Sequence, residues 1–357
     1  MSSPFRIAVV LALGLCACRG RSDTTHAARP GVSWPAADAA VRTSTTWRGG
    51  DAAYSVPLPD GRVLWLFGDS FVGAGDGTSG RAGRAMIRNS VAVQSTTDPA
   101  TATWTFHWNA SGAAAAPFFS GTADTWLWPG PATASDRGLL LMFAQVTASP
   151  HGLGFETVGS TALRVGDTSG PPTGWTFDPV ALPQAPPGVQ LGLGAHLQDE
   201  TFLYAFAPVE PGTHDVFVGR WELDADPLVD LRSIQWWTGS AWGPDPTAAR
   251  AVTHDVQTEF SVSRVGPELW MISTEGFGAV DVVVRTAAAP VGPWSAPRPL
   301  YRPPEFGRSD VLVYSAKAHP HLKGAPVVLT YHTNRTDFWD LAADLDVYFP
   351  RFVKVTP

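Results

Sequence analysis

Five short apolar runs recur along the chain: WLFGDSF (65–71), LLLMFAQV (139–146), FLYAFAPV (202–209), ELWMISTE (268–275) and PVVLTYHT (326–333). Each follows a turn signal, namely Asp60-Gly61, Asp136-Arg137-Gly138, Asp199-Glu200, Gly266-Pro267-Glu268 and Leu322-Lys323-Gly324. Ahead of each run lies a candidate innermost strand (52–58, 125–132, 190–197, 259–265, 313–319), and behind it a third strand (88–96, 158–166, 216–223, 281–288, 347–355). Tryptophan-marked outer strands follow in four units, around 104–108, 175–177, 236–242 and 294–300. A strand-built unit recurring about every 65 residues is the pattern of a β-propeller blade, so the chain is expected to be all-β with five blades. The fifth unit lacks an outer strand. An N-terminal segment near 40–46 is expected to supply it and close the ring, which would bring residues 36–47 against 345–357.

Composition agrees with strands: 35 Gly, 32 Pro, 15 Trp and only 16% charged residues in 357. A formal net charge of -7 without clustered Lys or Arg excludes a nucleic-acid partner. The N-terminus carries Arg6, an apolar run over 7–15 and then Leu15-Cys16-Ala17-Cys18, which resembles a bacterial lipobox. Residues 1–18 are therefore expected to be a lipoprotein signal with Cys18 lipidated, 19–35 a tether and 36–357 the propeller; an ordinary secretory signal cut near Ala17 is the alternative. The protein is expected at the bacterial cell envelope as a monomer, held to the membrane only by its lipid. Both cysteines fall in this leader, so the fold must be held by its core rather than by disulfides.

In an antiparallel hairpin the residue that opens one strand lies beside the one that closes the next. The Asp60-Gly61 turn pairs residues whose numbers sum to about 121, setting Asp51 opposite Ser70 and Asp69 opposite Ala52. Strict alternation would point the two aspartates to opposite faces, so a bulge or a break in pairing must turn both to the central channel. The same rule gathers Asp124, Gln145, Gln190, Glu210, Glu259, Glu275, Tyr314, Lys317, His332 and Asn334 at one rim, where the long connections also lie.

Two carboxylates across a cleft suffice for glycoside hydrolysis if their environments push the two proton affinities apart. Asp51 and Asp69 are the leading pair, and Glu259 is a candidate acid from across the channel. Asp124, Trp128, Arg88, Asn89, Lys317, His319 and Asn334 are candidate substrate-binding residues. Plainer readings exist for several: Asp51 as a strand-start residue, Asp69 as an Asx-turn, Glu259 as a rim carboxylate paired with Lys or Arg, His319 as a hydrogen-bonded structural group. The chain has no Gly-Xaa-Ser-Xaa-Gly elbow, no cysteine for thiol catalysis, no His-Xaa-Xaa-Xaa-His helix and no phosphate-cradling glycine loop. No cofactor or metal is called for, while a structural or channel calcium stays open.

The segments GGDAAYSVPLPDGRVLWLFGDSF (49–71), MIRNSVAV (86–93), WLWPG (126–130), APVGPW (289–294) and YSAKAHP (314–320) resemble a group of bacterial domains of unknown function. That group is similar to the five-bladed arabinanase and furanosidase propellers and to the endo-D-arabinanase family. The resemblance implies a glycoside hydrolase, endo-acting on a furanose-containing polysaccharide, with catalytic aspartates at Asp51 and Asp69. From the broader arabinanase-like propellers it implies an acid at Glu259. It implies inversion, for which carboxyl groups about 6.5–9.5 Å apart are required. The alternative is a non-catalytic surface lectin or scaffold lipoprotein.

Overall fold

The computed structural model describes residues 30–74, 80–223 and 230–357. Cys18, the expected signal and most of the tether lie outside these residues. The chain is almost entirely β, with five antiparallel sheets built on the repeating units read from the sequence. Their first three strands are Tyr54–Pro57, Val63–Phe67 and Ser90–Gln94; Trp126–Ser135, Gly138–Ala148 and Phe155–Val165; Ala195–Gln198, Phe202–Pro208 and Val216–Glu222; Ser261–Val265, Glu268–Thr274 and Val282–Ala287; and Val311–Ala318, Val327–Arg335 and Arg351–Val355.

The outer strands depart from expectation at two places. In the second sheet the strand is Asp178–Val180, because Trp175 instead ends a 3-10 turn (Pro172–Gly174), buries its ring and donates Nε1–H to the Ser169 carbonyl at 3.0 Å. In the fifth, the added strand is Gly31–Ser33, paired with Arg351–Val355, rather than 40–46. The expected tether thus ends before residue 31. Helix α1 (Pro35–Val41) takes the first two residues of the expected strand and the rest is turn and bend; Pro35 takes the first helical position and the alanines that follow favour helix. The expected contact between the two ends of the chain is present, since Asp38 accepts the Phe352 N–H at 2.7 Å and the Arg42 guanidinium lies 4.7 Å over the Phe349 ring.

Tryptophan and phenylalanine fill the space between sheets. Trp47, Trp65, Phe67, Phe349 and Phe352 are fully buried in one cluster where the first and fifth sheets meet. Trp65 keeps its indole N–H satisfied by Gln94 Oε1 at 2.8 Å, as a buried aromatic with a polar edge requires. A large aromatic buries about 150–250 Å², so such clusters supply the cohesion that disulfides would otherwise provide.

One break in this regularity positions the site. The first sheet pairs Tyr54 with Leu66, and beyond an interruption Gly50 pairs with Ser70 in a smaller sheet of Trp47–Gly50, Ser70–Val72 and Ala85–Ile87. Both pairs sum to 120, one less than expected. Asp51 and Asp69 lie in the gap between the two pieces.

Candidate active site

Within the gap the backbone leaves strand geometry. Ala52 and Ala53 have φ of 63° and 49°, in the left-handed region that L-residues avoid. Ser315 (58°) and Tyr348 (66°), which also border Asp51, share it. Each such residue costs about 1–3 kcal/mol and persists only where its surroundings enforce it. The effect is to lift Asp51 out of the alternation that would have pointed it away from Asp69.

Asp51 Oδ2 accepts hydrogen bonds from Tyr314 Oη at 2.9 Å and Tyr348 Oη at 3.2 Å. Its carbonyl accepts from the N–H groups of Ala53 and Gly68. Gly68 permits the approach, because a Cβ there would stand 2.5 Å from Asp51 Oδ1. Gly49, at φ 126°, allows the preceding turn to pass the Tyr348 carbonyl, 2.4 Å from where its Cβ would be. Burial pushes the Asp51 carboxyl up to about 8, with the charges of Asp69 and then Glu259 adding to it and the two tyrosine hydroxyls only partly opposing. Its surroundings therefore favour the protonated form of Asp51.

Asp69 has a different environment. Its Oδ2 accepts from Arg88 Nη1 at 3.1 Å and its Oδ1 from Trp128 Nε1 at 2.9 Å. Burial raises its proton affinity as well, while Arg88 and Trp128 pull it back. The Arg88 guanidinium is itself held 4.2 Å over the Trp126 ring. Trp128 therefore acts on Asp69 through its indole N–H, its ring being packed edge-on against Phe155 at 4.6 Å.

Glu259 approaches from the fourth sheet. Its Oε1 is 3.7 Å from Lys317 Nζ of the fifth. Lys317 is 2% exposed, lies 4.3 Å over the Tyr54 ring and is hydrogen-bonded to the Ser315 hydroxyl and carbonyl. Burial lowers it to about 8, with Glu259 and Asp51 holding it up. Tyr54 reaches from the first sheet to the Gly194 carbonyl of the third at 3.3 Å. Asp69, Glu259, Tyr314 with Lys317, and Tyr348 thus meet around Asp51. Asn334 joins through Tyr314, its Nδ2 lying 3.5 Å from the Tyr314 hydroxyl.

Three expected substrate-binding residues are placed otherwise. Asn89 is fully buried, and its amide donates to the Phe119 and Leu127 carbonyls and accepts the Phe119 N–H, so it fastens a loop and has no group left for a ligand. His319 is 2% exposed between Ser55 and Thr330, against the Trp65 ring, and burial holds its imidazole well below the usual range; it is a structural group. Asp124 is exposed, apart from the Asp51, Asp69 and Glu259 group, and its carbonyl accepts from Thr147. Among the described residues no group of three or more His, Cys, Asp or Glu is arranged to hold a metal ion, so the calcium left open by the sequence finds no such ligand set.

Two contributors were missed. Tyr348 looked like a core residue of a strand, yet it is left-handed and donates to Asp51. Arg81, 2% exposed, donates to the carbonyls of Arg48, Leu341, Asp344 and Val347 and lies 5.8 Å from the Tyr348 ring centre, tying the loop that carries Tyr348 to the smaller sheet of Trp47–Gly50. No sequence signal marks it beyond a lone Arg in a glycine-rich connection. Arg81→Ala is expected to strand four carbonyls, those of Leu341 and Val347 buried, and to lower Tm by roughly 4–5 °C, as a loss of about 3 kcal/mol would; calorimetry showing an unchanged Tm would contradict its role.

A model described as Domain of unknown function (DUF5005) matches residues 38–357. The chain belongs to that family. No curated protein matches it. Among solved structures, the DUF5005 chain is similar to a proposed hydrolase from Bacteroides ovatus ATCC 8483, with 21% identity, TM-score 0.71, and coverage of 91% of this chain and 90% of that one. It is also similar to a xylan beta-1,4-xylosidase from Bacillus halodurans C-125, with 10% identity and TM-score 0.51 over 88% of this chain and 53% of the other, about half its length. A GH43_1 enzyme from Xanthomonas citri complexed with xylotriose gives 13% identity and TM-score 0.50 over 89% and 91% of the two chains. At these identities the likeness of the DUF5005 chain is one of fold, an all-β propeller.

Proposed function

We propose that this protein is a glycoside hydrolase with a five-bladed propeller fold, its ring closed by Gly31–Ser33, in which Asp51 protonates the leaving oxygen and Asp69 is the general base or nucleophile. One observation carries the reading: two carboxylates in a single gap have opposite surroundings. Asp51 sees two other carboxylates and is raised to about 8, whereas Asp69 is held by a guanidinium and an indole N–H. Burial raises both, but the neighbouring carboxylates add to the rise of Asp51 while the guanidinium and the indole favour the ionised form of Asp69, the kind of difference that separates an acid from its partner. The sequence resemblance to arabinanases and the propeller fold support a furanose-containing polysaccharide cleaved internally, and the leader supports an exported protein anchored through Cys18.

In this assignment Glu259, paired with Lys317, serves to raise Asp51 rather than to donate the proton itself. Glu259→Gln is therefore expected to move the alkaline limb of kcat/KM to lower pH while leaving measurable turnover; complete loss of turnover with a folded protein would transfer the acid role to Glu259. The reading as a whole is tested by reducing-end release from arabinan, arabinoxylan and xylan. Oligosaccharides from at least one are expected, and polymer binding without any bond cleavage would make the protein a lectin instead.

A further inference from the structure

A row of aromatic rings in contact runs from beside Asp51 to the protein surface. Tyr348, whose hydroxyl donates to Asp51, lies 5.8 Å from Phe71 between ring centres; Phe71 lies 6.3 Å from Phe338, and Phe338 lies 5.6 Å from Trp339. The row begins buried and ends exposed: Tyr348 and Phe71 are 3% and 2% accessible, Phe338 36% and Trp339 74%. An indole so exposed costs hydrophobic free energy in water unless something covers it.

Trp339 is not on a loose loop. It lies in helix α2 (Phe338–Ala343), whose first turn is capped by Asp337 Oδ1 accepting the N–H groups of Trp339 and Asp340 at 2.8 and 3.0 Å. Arg335 is ion-paired to Asp344 just past the helix, Arg81 binds the Leu341 and Asp344 carbonyls, and Leu341 is buried with Phe71, Val347 and Tyr348. The exposed ring is thus held on a fixed support, and a rigid ring costs little ordering entropy when a ligand stacks on it.

We propose that Trp339, with the edge of Phe338, forms a distal sugar subsite, where the apolar C–H face of a saccharide ring packs on the indole. The inference rests on the glycan reading above and deepens it. The stacked unit lies three ring contacts out from Asp51, so it belongs to a sugar other than the one being cleaved. This suits a polymer held across the mouth rather than a single terminal residue, and the position of α2 four residues after Asn334, whose amide meets the Tyr314 hydroxyl beside Asp51, favours a glycan over a lipid surface or a second copy of the chain.

The test reads binding, so it is separable from cleavage. Native affinity electrophoresis at low temperature is run with arabinan, arabinoxylan or xylan in the gel, using wild type, Trp339→Ala and Trp339→Phe. Wild type is expected to be retarded by at least one polymer, Trp339→Ala to lose about tenfold or more of that affinity, and Trp339→Phe to recover part of it. Equal retardation of Trp339→Ala, or no retardation of wild type by any of the three polymers, overturns the subsite. Flotation with phosphatidylglycerol vesicles that depends on Trp339, without polymer retardation, overturns it in favour of a lipid surface. A lectin would pass this test while failing reducing-end release, which keeps the two proposals distinct.

Discussion

Asp51→Asn is expected to lower kcat/KM for glycoside hydrolysis by about 10²–10⁴-fold, the usual contribution of a positioned general acid, and at the same time to stabilise the fold at alkaline pH. The second effect follows from linkage. The Asp51 carboxyl ionises near 4 in an unfolded chain and near 8 in the folded one. Between those values the folded state keeps a proton that the unfolded state has released, so wild-type stability falls as pH rises through the window and the penalty is fully present above about 8. A neutral Asn cannot incur it. Tm measured from pH 5 to 9 is thus expected to decline less steeply for Asp51→Asn than for wild type. A parallel decline, or unchanged activity, would contradict the assignment.

Asp69→Asn is expected to cost a similar 10²–10⁴-fold in kcat/KM, but by a different route. The amide oxygen can still accept from Trp128, whereas its NH₂ would face the Arg88 guanidinium, donor against donor, where Asp69 Oδ2 now accepts at 3.1 Å. The substitution also removes the larger of the two charges that raise Asp51. Asp51 in this variant should therefore titrate at lower pH than in wild type, and lower than in Glu259→Gln. Kinetics and a carboxyl titration of the variant together check both consequences. An Asp51 titration unmoved by the loss of Asp69 would mean that the two groups do not share a site.

The architecture was largely legible because its signals are local: an apolar run, a turn residue and a following strand recur at each sheet. The first hairpin was read to within one residue, and Asp51, Asp69, Glu259, Tyr314 and Lys317 were all expected at one rim. The break that turns the two aspartates together was also anticipated, though not its cause. Two successive alanines in left-handed geometry carry no sequence mark, since glycine is the usual occupant.

Elsewhere the non-local contacts decided. Residues 40–46 seemed the natural closing strand, but Pro35 and the alanines after it favour a helix, and the pairing passed to Gly31–Ser33. Asn89 and His319 were polar residues at strand ends, which is equally the pattern of a ligand-binding rim and of a buried clamp. Their partners, the loop at 118–127 and Ser55 with Thr330, lie too far along the chain for spacing to reveal. Tyr348 and Arg81 matter through carbonyls and a hydroxyl on other segments, and a sequence pattern has no term for that.

The account stands on the proton held by Asp51, and this is measured most directly by the carboxyl carbon-13 shift of Asp51 in labelled protein across pH 3–10, assigned by comparison with Asp51→Asn. A midpoint near 8, well above that of an ordinary aspartate, is the result expected. A midpoint near 4 would mean that Asp51 is ionised at neutral pH, leaving the gap with no acid at that position.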